Sequence, residues 1–550
     1  MSRTASLVSR EAYLVRECGN GTGARRRLAS AGASPSVSRL TFYPSRLTAF
    51  FVGVALTLSL NLNLSSAAGP SLADRVIEHR LANGLTLLMV ERRQSPIVSI
   101  NMTFGVGGLD ERTGMTGVAH LYEHMAFKGT RTIGAKDYQK ERPLLEELDR
   151  LNDRIDRLRA ELADQPAGKT DPAKTKELER LTRQFTHTQE KASEWVVGNE
   201  MSLLYQRHGA VGLNASTGKD VTRYTVSLPA NRLPLWAAIE ADRMAHPVLR
   251  EFYKERAVVM EERRLRTDDS PSGLLYEAFT AAAFQAHPYG FPTIGWASDI
   301  QSLTPAQTEA FFRTYYGPGN AVIAIVGDIN PKETIALIER SFGSIPAVAA
   351  PPRVVTVEPA QRGERRVAIE FEAEPIVMMG YHKPSIGHQD DPVFDVLDAV
   401  LSEGVTSRLY KRLVRELKLA ASVSTDASTP GVRSPNLFII SATPLAPHTT
   451  AELEAAIDEE LARLKREPVS PDELEKVIKN LDAGLVRTLR SNSGLASQLA
   501  YFHVVAKDWR YVLASRDRIA AVTPADIQRV AARYFTPSNR TVATLVRTQR

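Results

Sequence analysis

Residues 303–326, LTPAQTEAFFRTYYGPGNAVIAIV, recur in altered form as VTPADIQRVAARYFTPSNRTVATLV from Val522. Five identities keep one spacing: Thr304/Thr523, Pro305/Pro524, Tyr315/Tyr534, Pro318/Pro537 and Asn320/Asn539 each lie 219 residues apart. One offset across five positions marks an internal duplication, so the two copies must fold alike. In each, Thr-Pro opens a helix that ends at paired aromatic residues, a proline turn follows, and a β-rich run completes the unit. The chain is therefore expected to be α+β. Two homologous lobes, each a mainly antiparallel sheet packed with helices, would close as a clamshell.

Other signals fill in this frame. Residues 79–90 read as two strands joined at Asn83-Gly84, and 97–104 alternate as a third strand. Strands near 367–381 and a helix near 393–401 belong to the second lobe. The Pro- and Ala-rich run at 345–352 marks the connection. The expected organisation is a first lobe at 70–345, a linker at 346–358 and a second lobe at 359–550. Within the first lobe, 136–200 reads as an inserted helical hairpin. Leu144, Leu148, Leu151, Ile155, Leu158 and Leu162 recur at helical spacing, Pro166-Ala167-Gly168 breaks the pattern, and Leu178, Leu181, Phe185 and Trp195 resume it. Such a hairpin is either a self-packed decoration or a docking or gating element for a partner.

The chain has 550 residues, a net charge of +6 and 43% apolar content, ample for real cores. The positive excess is local. Residues 1–69 hold eight arginines (3, 10, 16, 25, 26, 27, 39 and 46) and two glutamates (11 and 17), a net of +6 that leaves the remainder neutral. Charge therefore gives no support for nucleic-acid binding. Arg46 precedes an apolar run from Ala49 to Leu64, and Ser65-Ser66-Ala67-Ala68 supplies small residues for cleavage near residue 68. This is the pattern of a secretory signal, with a secreted or periplasmic mature chain free of the membrane. The competing reading is an uncleaved anchor, for which the run is short and carries Asn61 and Asn63. The roughly 40 residues upstream carry no pattern that assigns them a role. Cys18, the only cysteine, would leave with the leader, which excludes disulfides, cysteine-ligated metal and cysteine nucleophiles from the mature chain.

Residues 120–124 read HLYEH. On a helix a four-residue step is a little over one turn, so His120 and His124 project from one face and two nitrogen donors converge. Glu123 sits beside them, placed to take a proton from a metal-activated water. The order is the inverted H-x-x-E-H, and no H-E-x-x-H occurs in the chain. The plain alternative is a solvated helix face that happens to carry two histidines. Against it stands the largely apolar setting, Val118, Ala119 and Leu121 before and Met125, Ala126 and Phe127 after, because buried polar rings need partners.

The run GVAHLYEHMAFKGT, together with Asn214-Ala215-Ser216-Thr217, His287-Pro288-Tyr289-Gly290 and KERAVVMEE, resembles the pitrilysin/insulinase family of zinc metallopeptidases. The likeness extends from about Val76 to the C-terminus and is to the shorter two-lobed branch, which includes mitochondrial processing peptidase-like proteins. The resemblance implies one zinc ion and hydrolysis of unfolded peptides between the lobes. It places the third metal ligand at Glu262, 138 residues beyond His124, and an auxiliary acid at Glu255. It implies that substrate pairs as an added strand with Leu213, Asn214, Ala215 and Ser216, and that Arg415 faces the substrate carbonyl. Where the family often has a tyrosine, this chain has Ala421, which removes a carbonyl-stabilising hydroxyl. The second lobe has no H-x-x-E-H. Some relatives work as pairs, so a homodimer or a heterodimer with a related chain is expected. The rival expectation is a non-catalytic, peptide-binding subunit. A His2Glu set would also accept cobalt or manganese.

Overall fold

The first six strands pair around the most apolar of them. In the computed structural model, which describes residues 71–165 and 171–548, β1 (Ile77–Arg80), β2 (Thr86–Glu91), β3 (Ile97–Phe104), β4 (Val211–Thr217), β5 (Thr222–Pro229) and β6 (Ala321–Gly327) form one sheet. The leader, Cys18 and the Pro166-Ala167-Gly168 break lie outside these residues. Sheet order is β1-β2-β6-β3-β5-β4, so β6 is internal and β4 is an edge. Every residue of β6 is buried because helices cover both faces, which is why AVIAIVG reads as a continuous apolar run rather than an alternating one. Gly84, at φ +92°, closes the β1–β2 turn in the left-handed region that glycine tolerates.

The second sheet contains β7 (Arg365–Phe371), β8 (Ile376–Lys383), β9 (Ala420–Thr429), β10 (Asn436–Pro444) and β11 (Arg540–Arg547), in the order β7-β11-β8-β10-β9. Remove β1 from the first sheet and the two orders coincide. The directions match too: β2/β6 and β7/β11 are parallel, and the remaining pairs are antiparallel. The repeated residues carry repeated bonds. Thr304 and Thr523 each close a capping box, and the side-chain amides of Asn320 and Asn539 donate to Tyr315 O and Tyr534 O at 2.8 and 2.9 Å.

The helices that matter below are α1 (Val118–Met125), α2 (Tyr138–Ala163), α3 (Pro172–Ser193), α4 (Phe252–Arg263), α5 (Pro271–Ala283) and α6 (Asn492–Val505). Helices α5 and α6 are exchanged. Leu275, Phe279 and Ala283 of α5 pack against Met378, Leu437, Ile439, Ala543 and Leu545 of the second sheet. Reciprocally, Leu495, Leu499 and Val504 of α6 pack against Leu88, Val90, Val322 and Val326 of the first sheet. Gly380 of β8 has no side chain for a reason: a Cβ there would strike the Phe279 ring. Each half therefore covers the other's sheet, and Leu72–Arg550 forms a single unit.

The insertion is an antiparallel pair, α2 and α3, with its own small core of Leu151, Ile155 and Leu181 flanked by Leu158, Leu178 and Phe185. Between Phe342 and Arg365 the chain forms no helix or strand, a longer connection than 346–358. Glu358 pins it by accepting from the amides of Gln285, Ala286 and His287 at 2.8–3.0 Å. Among the described residues no helix is long and apolar enough to cross a membrane.

Candidate active site

Helix α1 starts at Gly117, whose φ of +85° and close approach to Ile294 O leave no room for a side chain. Its first amides are met by Glu111: Oε2 accepts from Gly117 N and Oε1 from Ala119 N, both at 2.9 Å. A carboxylate at this position satisfies unpaired donors and complements the helix dipole. So anchored, α1 presents His120 and His124 on one face, with ring centroids 4.8 Å apart. Glu262, near the end of α4, completes the group, its Oε2 lying 3.7 Å from His120 Nε2 and 3.3 Å from His124 Nε2.

These separations suit a shared cation. Tetrahedral zinc with bonds of about 2.0–2.2 Å holds its donors roughly 3.3 Å apart. The three donor atoms lie within 4.8 Å of one another, and two imidazole nitrogens with one carboxylate oxygen form a zinc-type donor set. Among the described residues this is the group able to hold a metal. Helix α4 also brings Glu255 to His124: Oε1 is 3.2 Å from Nδ1, leaving Nε2 as the nitrogen that would coordinate a metal. Glu261, between them in sequence, turns outward and pairs with Arg264.

The electrostatics are those of a buried donor cluster. Burial, with His124 adding to it, pushes His120 down to about 3, so its ring is neutral. Burial opposes the charged form of His124 as well, but hydrogen bonds to Glu255 and Glu262 outweigh it and hold this ring up at about 9. Burial alone would raise Glu262; the His124 hydrogen bond, the neighbouring imidazoles and the Arg266 charge overcome it and hold the carboxyl at about 2. A metal ion held here would need His124 as its neutral imidazole and Glu262 as its carboxylate. Arg266, 2.9 Å from Glu262 Oε1, orients that carboxylate.

Glu123 is buried, and burial pushes its pKa up, partly offset by the hydroxyl of Thr217, which donates to Oε2 at 2.7 Å. Thr217 ends β4, so the edge strand runs to the glutamate. Along that strand Leu213 and Ala215 pack on the core, while Ser216 Oγ accepts from Arg223 Nε at 2.8 Å and Asn214 Oδ1 is buried without a partner. The outer backbone edge of β4 has no neighbouring strand among the described residues. Arg415 stands apart. It lies exposed on a π-helical turn, Tyr410–Glu416, of the second half and makes no hydrogen bond or ion pair with the His/Glu cluster. Ala421 is exposed on β9, the edge of the second sheet.

Sequence reasoning assigned no role to Glu111, Lys128, Thr217 or Arg266. Lys128 is 2.6 Å from Glu255 Oε2. It and Thr217 fall within the runs that carry the family resemblance, a usable signal. Glu111 stands six residues before Gly117, the N-cap of the helix, too far for a local capping pattern.

Residues 87–147 match the family described as Insulinase (Peptidase family M16), and residues 302–481 match the one described as Peptidase M16 inactive domain. The chain is 28% identical over 473 residues to zinc protease PqqE of Helicobacter pylori, covering 84% of this chain and 91% of that protein. An uncharacterized zinc protease of Mycobacterium tuberculosis is 26% identical over 476 residues, covering 85% and 92%. The crystal structure of a protease from Helicobacter pylori aligns with a TM-score of 0.71 at 27% identity, covering 86% of this chain and 99% of that one. With the same two-lobed architecture as that protease, the chain matches models of peptidase family M16, the insulinase family, in both of its halves.

Proposed function

We propose that the chain is a secreted, zinc-dependent endopeptidase that cleaves unfolded peptides held between its two lobes. The observation that carries this reading is the meeting of His120, His124 and Glu262 around one point, with Glu123 beside them at the end of a free edge strand. His120, His124 and Glu262 would hold the ion and Glu255 would orient His124. Bound there, zinc supplies Lewis acidity, activating a water and polarising a carbonyl. Glu123 takes the proton of that water and returns it to the departing amine. Substrate adds as a strand along Leu213–Ser216, so recognition reads extended backbone more than sequence. The secretory address rests on the apolar run at 49–64 and the small residues that follow it. Ala421 leaves carbonyl stabilisation to the metal, since Arg415 makes no contact with the His/Glu cluster, unless a second, related chain contributes the missing group.

Cleavage of an unstructured peptide, measured with and without a chelator, tests the reading. Glu123→Gln should keep its zinc and lose activity by on the order of 10²- to 10⁴-fold, whereas His120→Ala should lose the metal itself. Equal rates for wild type and Glu123→Gln would sink the mechanism. Wild type with bound zinc and no cleavage would favour the peptide-binding subunit instead. The same assay across protein concentrations reads pairing: a rate per chain that stays constant, with a monomeric mass, removes the partner.

A further inference from the structure

We propose that Thr217 is a positioning residue for Glu123, deciding which carboxylate oxygen handles the proton and tying the general base to the strand that receives substrate. The proposal rests on the peptidase reading above and deepens it.

The hydroxyl protons can be followed one by one. Thr222 Oγ1 spends its proton on Val106 O at 3.0 Å and accepts from Tyr316 Oη at 3.3 Å. It has none left for Thr217, 3.4 Å away. Thr217 therefore keeps its own proton for Glu123 Oε2, at 2.7 Å. Oε1 of Glu123 makes no hydrogen bond or ion pair among the described residues. With one lone pair of Oε2 taken by a donor, Oε1, which carries none, is the more basic oxygen and the better acceptor for the water proton. Once protonated, the carboxyl keeps the proton on Oε1, because Oε2 still faces a hydroxyl that donates to it. In the hydrolytic step the water oxygen bonds to the scissile carbonyl carbon. The water proton passes to Oε1, the C–N bond breaks, and the proton leaves with the amine nitrogen.

The second part of the argument is the position of Thr217 in the fold. It is the last residue of β4, directly after Leu213–Ser216, and among the described residues β4 pairs only with β5. Its backbone is fixed opposite Thr222. A peptide added to the free edge therefore stiffens the strand that carries the hydroxyl, so binding register and base orientation share one rigid element.

The test is kinetic. Thr217→Val keeps the shape and removes the donor; Thr217→Ser keeps the donor. Thr217→Val should lower kcat by about 10- to 100-fold with KM within about twofold and zinc content unchanged, and Thr217→Ser should recover most of the rate. In a Glu123→Gln background, Thr217→Val should add no further loss, which a general structural role would not reproduce. An unchanged kcat in Thr217→Val, a change confined to KM, a serine variant as slow as the valine one, or an additive double variant would each overturn the proposal. If wild type and Glu123→Gln cleave equally, the peptidase mechanism fails first; if they differ and Thr217→Val matches wild type, only this inference falls.

Discussion

Lys128 holds two carboxylates at once, Glu255 at 2.6 Å and Glu251 at 3.5 Å. Glu255 passes the interaction on, since its other oxygen meets His124 Nδ1. Burial would raise Glu255, but the His124 hydrogen bond and the Lys128 charge hold its carboxyl below the usual range, so it stays an acceptor and fixes the ring. Removing the ammonium should loosen that ring. Lys128→Met is expected to weaken zinc binding about 10- to 100-fold, read by competition with a chromophoric chelator. An affinity equal to wild type would show that Glu255 needs no counter-charge. Residues of this kind show why the candidate site was only partly legible in the sequence. His120, Glu123 and His124 are legible because a helix converts their spacing into a common face. Glu255 and Glu262 became legible only through the family resemblance, since two acids seven residues apart on a charged helix read equally as solvent-facing. Arg266 lies outside every run that carries the resemblance, and for Lys128, which lies inside one, nothing in the sequence says which carboxylate it will reach.

At the level of elements, a buried ion pair helps join the insertion to the first lobe. Arg250 and Glu141 have side chains that are 1% and 0% exposed, with Nε 3.0 Å from Oε1. Arg250 also donates to Lys128 O, Ile133 O and Thr130 O, so it clamps the first turn of α2 onto the loop that follows α1. Removing one member of a buried pair leaves a charge without compensation, which costs about 3–5 kcal/mol. Glu141→Ala should lower the unfolding free energy by that amount in urea titrations; a change below about 1 kcal/mol would mean that water replaces the lost partner. The two helices were legible from their leucine spacing, but this clamp was not. A glutamate in a heavily charged helix gives no sign of burial when its partner lies 109 residues away. The same holds for α5 and α6. Apolar spacing tells that a face is covered and not which sheet covers it, so the duplicated fold could be expected while the exchange of helices between its halves could not.

Across the whole molecule, the two halves meet at a polar junction that also reaches α1. Asp220, in the β4–β5 turn, accepts from Val432 N at 2.6 Å, Arg433 N at 3.1 Å and Tyr289 Oη at 2.6 Å. Arg433 extends from the second half to Asp110, 3.6 Å away, and the next residue, Glu111, caps α1. Asp110 has a side chain only 4% exposed, and burial pushes its pKa up to about 6 despite the pull of Arg433. In an unfolded chain the same group titrates near 3.9. Between these values the folded state binds the proton more tightly than the unfolded state, so Asp110 favours folding at the acid end and that contribution fades as pH rises through about 4 to 6. Asp110→Asn removes the titration while other groups cancel in the comparison. Wild type should therefore lose stability relative to the variant as pH goes from 4 to 7, by about 1–3 kcal/mol. Urea unfolding of both proteins at pH 4, 5, 6 and 7 measures this difference directly. A flat difference would mean that Arg433 holds Asp110 ionised throughout, and a difference of opposite sign would mean that the junction binds its carboxylate more strongly than burial repels it.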